Sequence, residues 1–128
     1  MKVIQELIAY FDRRGKLTPE QIEQLLKKGL LAADAPANML GLCEQPGQSY
    51  YFKVHGDLAG SVWGTDVYTG DSALAAVAVH AGLVKPDETR VVKVTVVQPL
   101  QRYAGTTRHG VSSQDYGPYG TAFRVEAV

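Results

Sequence analysis

The chain has 128 residues, and its 13 Lys and Arg balance its 13 Asp and Glu. That neutrality gives no electrostatic reason to expect nucleic acid or an anionic membrane as partner, while the length suits one domain with a short appendage and a core that needs no staples. The single cysteine, Cys43, allows no internal disulfide and favours a reducing compartment.

The first residues break their apolar run at Gln5, Glu6 and Asp12, too early for the apolar centre of a signal peptide. No stretch has the length of a membrane span. The expected setting is therefore the cytoplasm, in a bacterial host. Residues 3–14 place Ile4, Leu7, Ile8 and Phe11 at helical spacing, with Gly15 as a stop. A second helix begins at Thr18-Pro19-Glu20-Gln21, which combines an N-cap, a Pro at the first helical position and a capping-box partner. Its inner stripe is Ile22, Leu25 and Leu26, and Gly29 ends it, so residues 1–31 read as a helical hairpin.

Residues 32–49 have no period and read as a linker or strap. The next segment, 50–128, carries the strand signals and is expected to fold as a unit. Residues 50–54 suggest a first strand, 91–97 form the clearest strand, and 121–127 alternate cleanly as the last. Between them, residues 73–81 are apolar but for His80 and are closed by Gly82. A helix apolar on all sides must be enclosed by protein, so the predicted fold is α+β, with strands wrapped around a central buried helix and a helical hairpin in front.

The densest block runs from Gly60 to Gly82. Val62-Trp63-Gly64-Thr65, Tyr68, Asp71-Ser72 and Ala78-Val79-His80-Ala81-Gly82 follow the order V-W-G-T-x-x-Y-x-x-D-S and A-x-H-A-G, and residues 103–113 follow Y-x-G-S-x-x-N-G-V-x-S. In order and spacing this resembles the LCCL domain. The resemblance implies strands around a buried helix and a ligand-recognition module, with polysaccharide or lipopolysaccharide suggested for some members. Animal members are cross-linked by cysteines, one of them at the position of Ala75, and His109 stands where the family usually has Asn. The disulfide framework is thus missing.

Trp63 and Tyr68 are candidates both for ligand stacking and for packing on the helix, and packing is the commoner role of large aromatics. Asp71 and Ser72 look like helix caps, and Gly64 serves a turn. His80, in the last turn before Gly82, reads as structural, since Asp71 and Ser72 lie a helix length away. Cys43, His55, His80 and His109 have no zinc-ligand spacing. Asp12 and Glu23 match the count of a calcium loop, but Arg14 and Lys16 occupy donor positions. No metal or cofactor is expected.

Residues 102–119 gather Tyr103, Arg108, His109, Tyr116 and Tyr119 among Gly, Ser and Pro, the composition of an adaptable binding loop. The leading functional expectation is a non-catalytic module for a protein partner or for a carbohydrate or lipid-like ligand. An adaptor or oligomerisation protein working through the helical hairpin, with the rest as scaffold, is the alternative. A small hydrolase using His55, Asp57 or His109 is a third.

Overall fold

The computed structural model describes residues 32–128 together with Glu20, which is helical and exposed. The rest of the expected hairpin, and its proposed adaptor role, lie outside the described residues. Three strands dominate: β2 (Ser49–His55), β5 (Thr89–Val97) and β8 (Ala122–Ala127). Along β2 the aromatic and β-branched side chains alternate, so Tyr50, Phe52 and Val54 are buried while Tyr51 and Lys53 are turned outward. β5 buries Val92, Val94 and Val96 in the same way, and antiparallel register sets Phe52 against Val92 and Tyr50 against Val94.

Three short strands complete the main sheet: β1 (Ala33–Asp34), β3 (Gly64–Thr65) and β4 (Val67–Thr69) join it in the order β1-β2-β5-β8-β4-β3. β1 runs parallel to β2 and the other neighbours are antiparallel. The strands β6 (Thr107–Arg108) and β7 (Val111–Ser112) form a separate hairpin. Its two-residue loop, His109-Gly110, has φ of 53° and 84°. Both loop residues therefore take the left-handed conformation of a tight hairpin turn, which His supplies here in place of Asn.

The one helix among the described residues, α1 (Leu74–His80), has seven residues and lies against β2, β6 and β7. Gly82, at φ 79°, ends it. The Gly82 N–H donates to the Val79 carbonyl at 2.9 Å and the Leu83 N–H to the Ala78 carbonyl at 3.0 Å, the paired bonds of a left-handed helix stop.

The expected fold class is corrected here. The described chain is mostly strand with one short helix, and the central, fully wrapped helix of an α+β fold is not what the residues build. Leu74, Val77, Ala78 and Val79 are buried, but Ala73, Ala75 and Ala81 are only half-buried. Alanine counts as apolar in a pattern yet tolerates water, so a helix lacking polar residues need not be enclosed. The opposite face of the sheet is polar: Lys93 lies over the Tyr51 ring at 6.0 Å and pairs with Glu126 at 3.8 Å.

Residues 32–49 are folded into the sheet and core. Met39 is fully buried, its N–H donates to the Gly70 carbonyl at 2.9 Å, and the Ala37 carbonyl accepts the N–H of Leu74 at 2.9 Å.

Candidate functional site

The loops around α1 bring three of the seven candidate binding residues together. Trp63 and Gln114 form a parallel bridge, fixed by Gln114 N–H to the Val62 carbonyl at 2.8 Å and Gly64 N–H to the Gln114 carbonyl at 3.1 Å. Tyr116 is bridged to Tyr103 by reciprocal backbone bonds of 2.9 Å. These two bridges set the Trp63 and Tyr116 rings 6.4 Å apart with planes inclined by 67°, and Tyr119 follows Tyr116 at 5.8 Å and 75°. Tyr116 is 46% exposed, and Trp63 and Tyr119 are half-buried.

Tyr103, expected to touch ligand, is instead buried beneath this cluster. Its hydroxyl donates to the Tyr119 carbonyl at 3.1 Å and accepts the Leu100 N–H at 2.9 Å. Together with its bridge to Tyr116, this makes Tyr103 the post on which both exposed tyrosines are mounted. Tyrosine suits that position because a buried ring with a satisfied hydroxyl gives both packing and direction.

Asp71 and Ser72 brace the other side. They do not cap α1: the helix begins after Ala73 with no side-chain cap. Thr69 Oγ1 donates to Asp71 Oδ1 at 2.6 Å, so Ser72 Oγ, fully buried, is left to donate to Thr69 Oγ1 and to accept the Trp63 N–H at 3.1 Å. The Tyr119 hydroxyl has its pKa raised by burial and then by the charge of the Asp71 carboxylate. A shallow cleft beside Tyr116 is lined by Gln101, Arg102, Asp115, Gly117 and Pro118.

The remaining candidates serve the helix. His80 is fully buried, with Nε2 3.1 Å from both the carbonyl and the hydroxyl of Thr106, and Nδ1 2.9 Å from the Tyr68 hydroxyl. A carbonyl only accepts, so Nε2 carries the proton and Tyr68 donates to Nδ1. Tyr68 is therefore core, and burial raises its hydroxyl pKa. His109 donates from Nδ1 to the His80 carbonyl at 3.1 Å, satisfying one of the free carbonyls at the helix end. Arg108 pairs with Asp66 at 3.0 Å in a solvated ion pair of small energetic consequence. These contacts dock the β6–β7 hairpin on α1.

A hydrolase arrangement is approached at one rim only. His55 Nδ1 lies 2.8 Å from Thr89 Oγ1, and its Nε2 is 3.6 Å from Asp87. The Asp87 side chain is 95% exposed, so water rather than the imidazole solvates it and it cannot hold the ring for proton transfer. Asp57 accepts the Ala59 N–H in a local turn, and no bond joins it to His55 or His109 among the described residues. No group of three His, Cys, Asp or Glu side chains converges as a metal site among the described residues, and no helix there is long and apolar enough to cross a membrane.

Comparison with known proteins gives one family match: the model of the LCCL domain covers residues 34–123. The human protein named cysteine-rich secretory protein LCCL domain-containing 2 is 38% identical over 69 residues, which is 52% of this chain and 14% of that protein. Transcriptional regulatory protein rxt3 of Schizosaccharomyces pombe is 39% identical over 73 residues, 52% of this chain and 21% of that protein. The chain thus spans less than a quarter of either relative, and both come from eukaryotes rather than from bacteria.

Proposed function

This chain belongs to the LCCL domain family, and on that premise we propose that it is a non-catalytic recognition module whose ligand docks on the surface formed by Trp63, Tyr116 and Tyr119. The observation that carries the reading is the mounting of these rings. Two backbone bridges and the Tyr103 hydroxyl hold three part-exposed aromatics on ordered loops. Rings held in place lose little conformational entropy on binding, and a rigid aromatic surface suits a protein partner as well as a carbohydrate or lipid-like ligand. His80 and Tyr68 have their hydrogen bonds satisfied within the fold, and His109 Nδ1 is taken up by the His80 carbonyl, which supports structural roles for them over turnover.

Probing peptide and glycan arrays with the wild-type chain and with Tyr116→Ala tests this. The expected result is a set of ligands retained by the wild type and lost by the variant at an unchanged melting temperature. Identical profiles for the two proteins would remove the aromatic surface from the function.

The reading extends to a reducing, cytoplasmic setting, because Cys43 is buried, donates to the Met39 carbonyl at 3.4 Å and has no cysteine to pair with. Recovery of the tagged chain from the secreted fraction of its host would overturn that placement.

A further inference from the structure

We infer that the edge of β2 at His55 takes an extended segment of a partner polypeptide as an added strand, with an aliphatic side chain of that segment held against α1. The residues involved lie apart from the aromatic surface, so this is a second contact that does not depend on the first. Along a strand, successive residues turn their main-chain N–H and C=O to opposite neighbours. The Ala35 N–H donates to the Lys53 carbonyl at 3.0 Å, so Lys53 faces β1, while the Gly56 N–H donates to the Glu88 carbonyl at 2.8 Å on the other side. His55 therefore faces the β1 side, where β1 has already ended at Asp34. Pro36 carries no N–H, and Ala37 has turned away to offer its carbonyl to the Leu74 N–H at 2.9 Å. The N–H and C=O of His55 are left without a partner among the described residues.

Beside this open pair lies a cleft of about 490 Å³. Ala35, Ala73 and Ala75, each half-buried and packed on the core, form its inner wall, and Asp34, Lys53 and His55 form its outer rim. This arrangement names its occupant. A free donor and a free acceptor on one edge residue are complementary to the main chain of an extended polypeptide, which presents both at strand spacing. The residue set opposite His55 keeps its side chain on the outer face, and its neighbours turn theirs inward. Inward is the alanine wall, which leaves room for a branched aliphatic side chain and offers it no hydrogen bond. A carbohydrate would bring hydroxyls to that wall and leave them unpaired.

The full chain, isotopically labelled at nitrogen, is titrated with the peptide acetyl-Gly-Val-Thr-Val-Gly-amide while its amide resonances are followed. Saturable shifts are expected at Lys53, His55 and Ala75. One of two N–H groups in the peptide, that of Thr or that of the Val after it, must face His55, depending on the direction of the added strand. N-methylation of that one should weaken binding at least about fivefold, and N-methylation of the other should leave it within about twofold. Replacing both Val residues of the peptide by Asp should weaken it at least about tenfold. Ala75→Leu fills the cleft and should do the same at an unchanged melting temperature, whereas Tyr116→Ala should bind as the wild type does. Equal effects of the two N-methyl groups would mean that the main chain is not paired, and the proposal would fall. It would also fall if no saturable shift appeared, or if Ala75→Leu bound normally. Concentration-dependent shifts at His55 and Ala75 without peptide would put a second copy of this chain on the edge and overturn the partner polypeptide. Shifts centred on Trp63 and abolished by Tyr116→Ala would likewise overturn it, while leaving the aromatic surface as the recognition site.

Discussion

The Ser72 hydroxyl has no contact with solvent and serves two neighbours at once, donating to Thr69 and accepting the Trp63 N–H. Ser72→Ala leaves that N–H without its partner in a part-buried position, an omission that costs about 1 to 3 kcal/mol. Urea unfolding should show the loss, and a change below about 0.5 kcal/mol would mean that water replaces the hydroxyl. Cys43 makes a different kind of residue-scale claim. Burial pushes its thiol from the ordinary 9.0 up to about 11, so the folded state favours the protonated form. Stability from this group is complete below about pH 9 and is lost as pH rises through about 11, since the unfolded chain gives up its proton first. The full effect is on the order of 2 kcal/mol. Melts of wild type and Cys43→Ala between pH 8 and 11 should therefore diverge, with the wild type falling more steeply. Tyr50 and Tyr119 feel the charge of the thiolate, so the divergence reports the thiol together with its coupling to those two hydroxyls. Parallel curves would show that the thiol is solvated.

The helix α1 is two-sided, and its alanines report which side is which. Ala78 is fully buried, so Ala78→Leu overpacks the core and should cost about 1 to 3 kcal/mol. Ala75 is half-buried beside an open cleft with Ala35, Pro36 and His55, so Ala75→Leu should stay within about 0.5 kcal/mol. Equal losses at the two positions would restore the fully enclosed helix. The sequence pattern could not separate them, because alanine carries no sign of the side it faces. Where side chains do carry that sign, the pattern was readable. The strand expected over residues 50–54 is Ser49–His55, that over 91–97 is Thr89–Val97, and that over 121–127 is Ala122–Ala127. Each is long enough for alternation to repeat. Strands of two or three residues, such as β1, β3, β6 and β7, offer no full period. The β6–β7 hairpin still left one signal, a His-Gly pair at the place of the hairpin-forming Asn-Gly. The site was legible in composition and not in arrangement. Tyr103 and Tyr116 look alike in sequence, and only their bridge decides that one is buried and the other presented.

At the scale of the whole molecule the question is where the folding unit begins. Residues 50–128 hold the motifs, the three long strands and α1, which on sequence grounds is enough to fold. The structure ties residues 32–49 into that unit at both ends and in the middle. Ala35 donates to the Lys53 carbonyl at 3.0 Å, Met39 to Gly70 at 2.9 Å, and Gly47 to Val96 at 2.7 Å, while Gln48 accepts from Val96 at 2.8 Å. β1 covers part of the β2 edge, and Met39 and Cys43 belong to the same core cluster as Phe52, Leu74 and Phe123. A chain starting at Tyr50 therefore loses a buried Met, a buried Cys and several backbone partners together. A loss of that size exceeds the few kcal/mol by which small domains are stable. Met39→Ala alone should cost about 2 to 5 kcal/mol and still unfold cooperatively. The fragment 50–128 should give no cooperative melt and no near-ultraviolet circular dichroism from Trp63, because the Gly70 and Ala37 bonds that anchor the loop and the helix start are gone. A cooperative melt with a native Trp63 band would show that the sheet and α1 need neither the β1 edge nor the Met39 plug. The same result would place the origin of the aromatic surface wholly within residues 50–128.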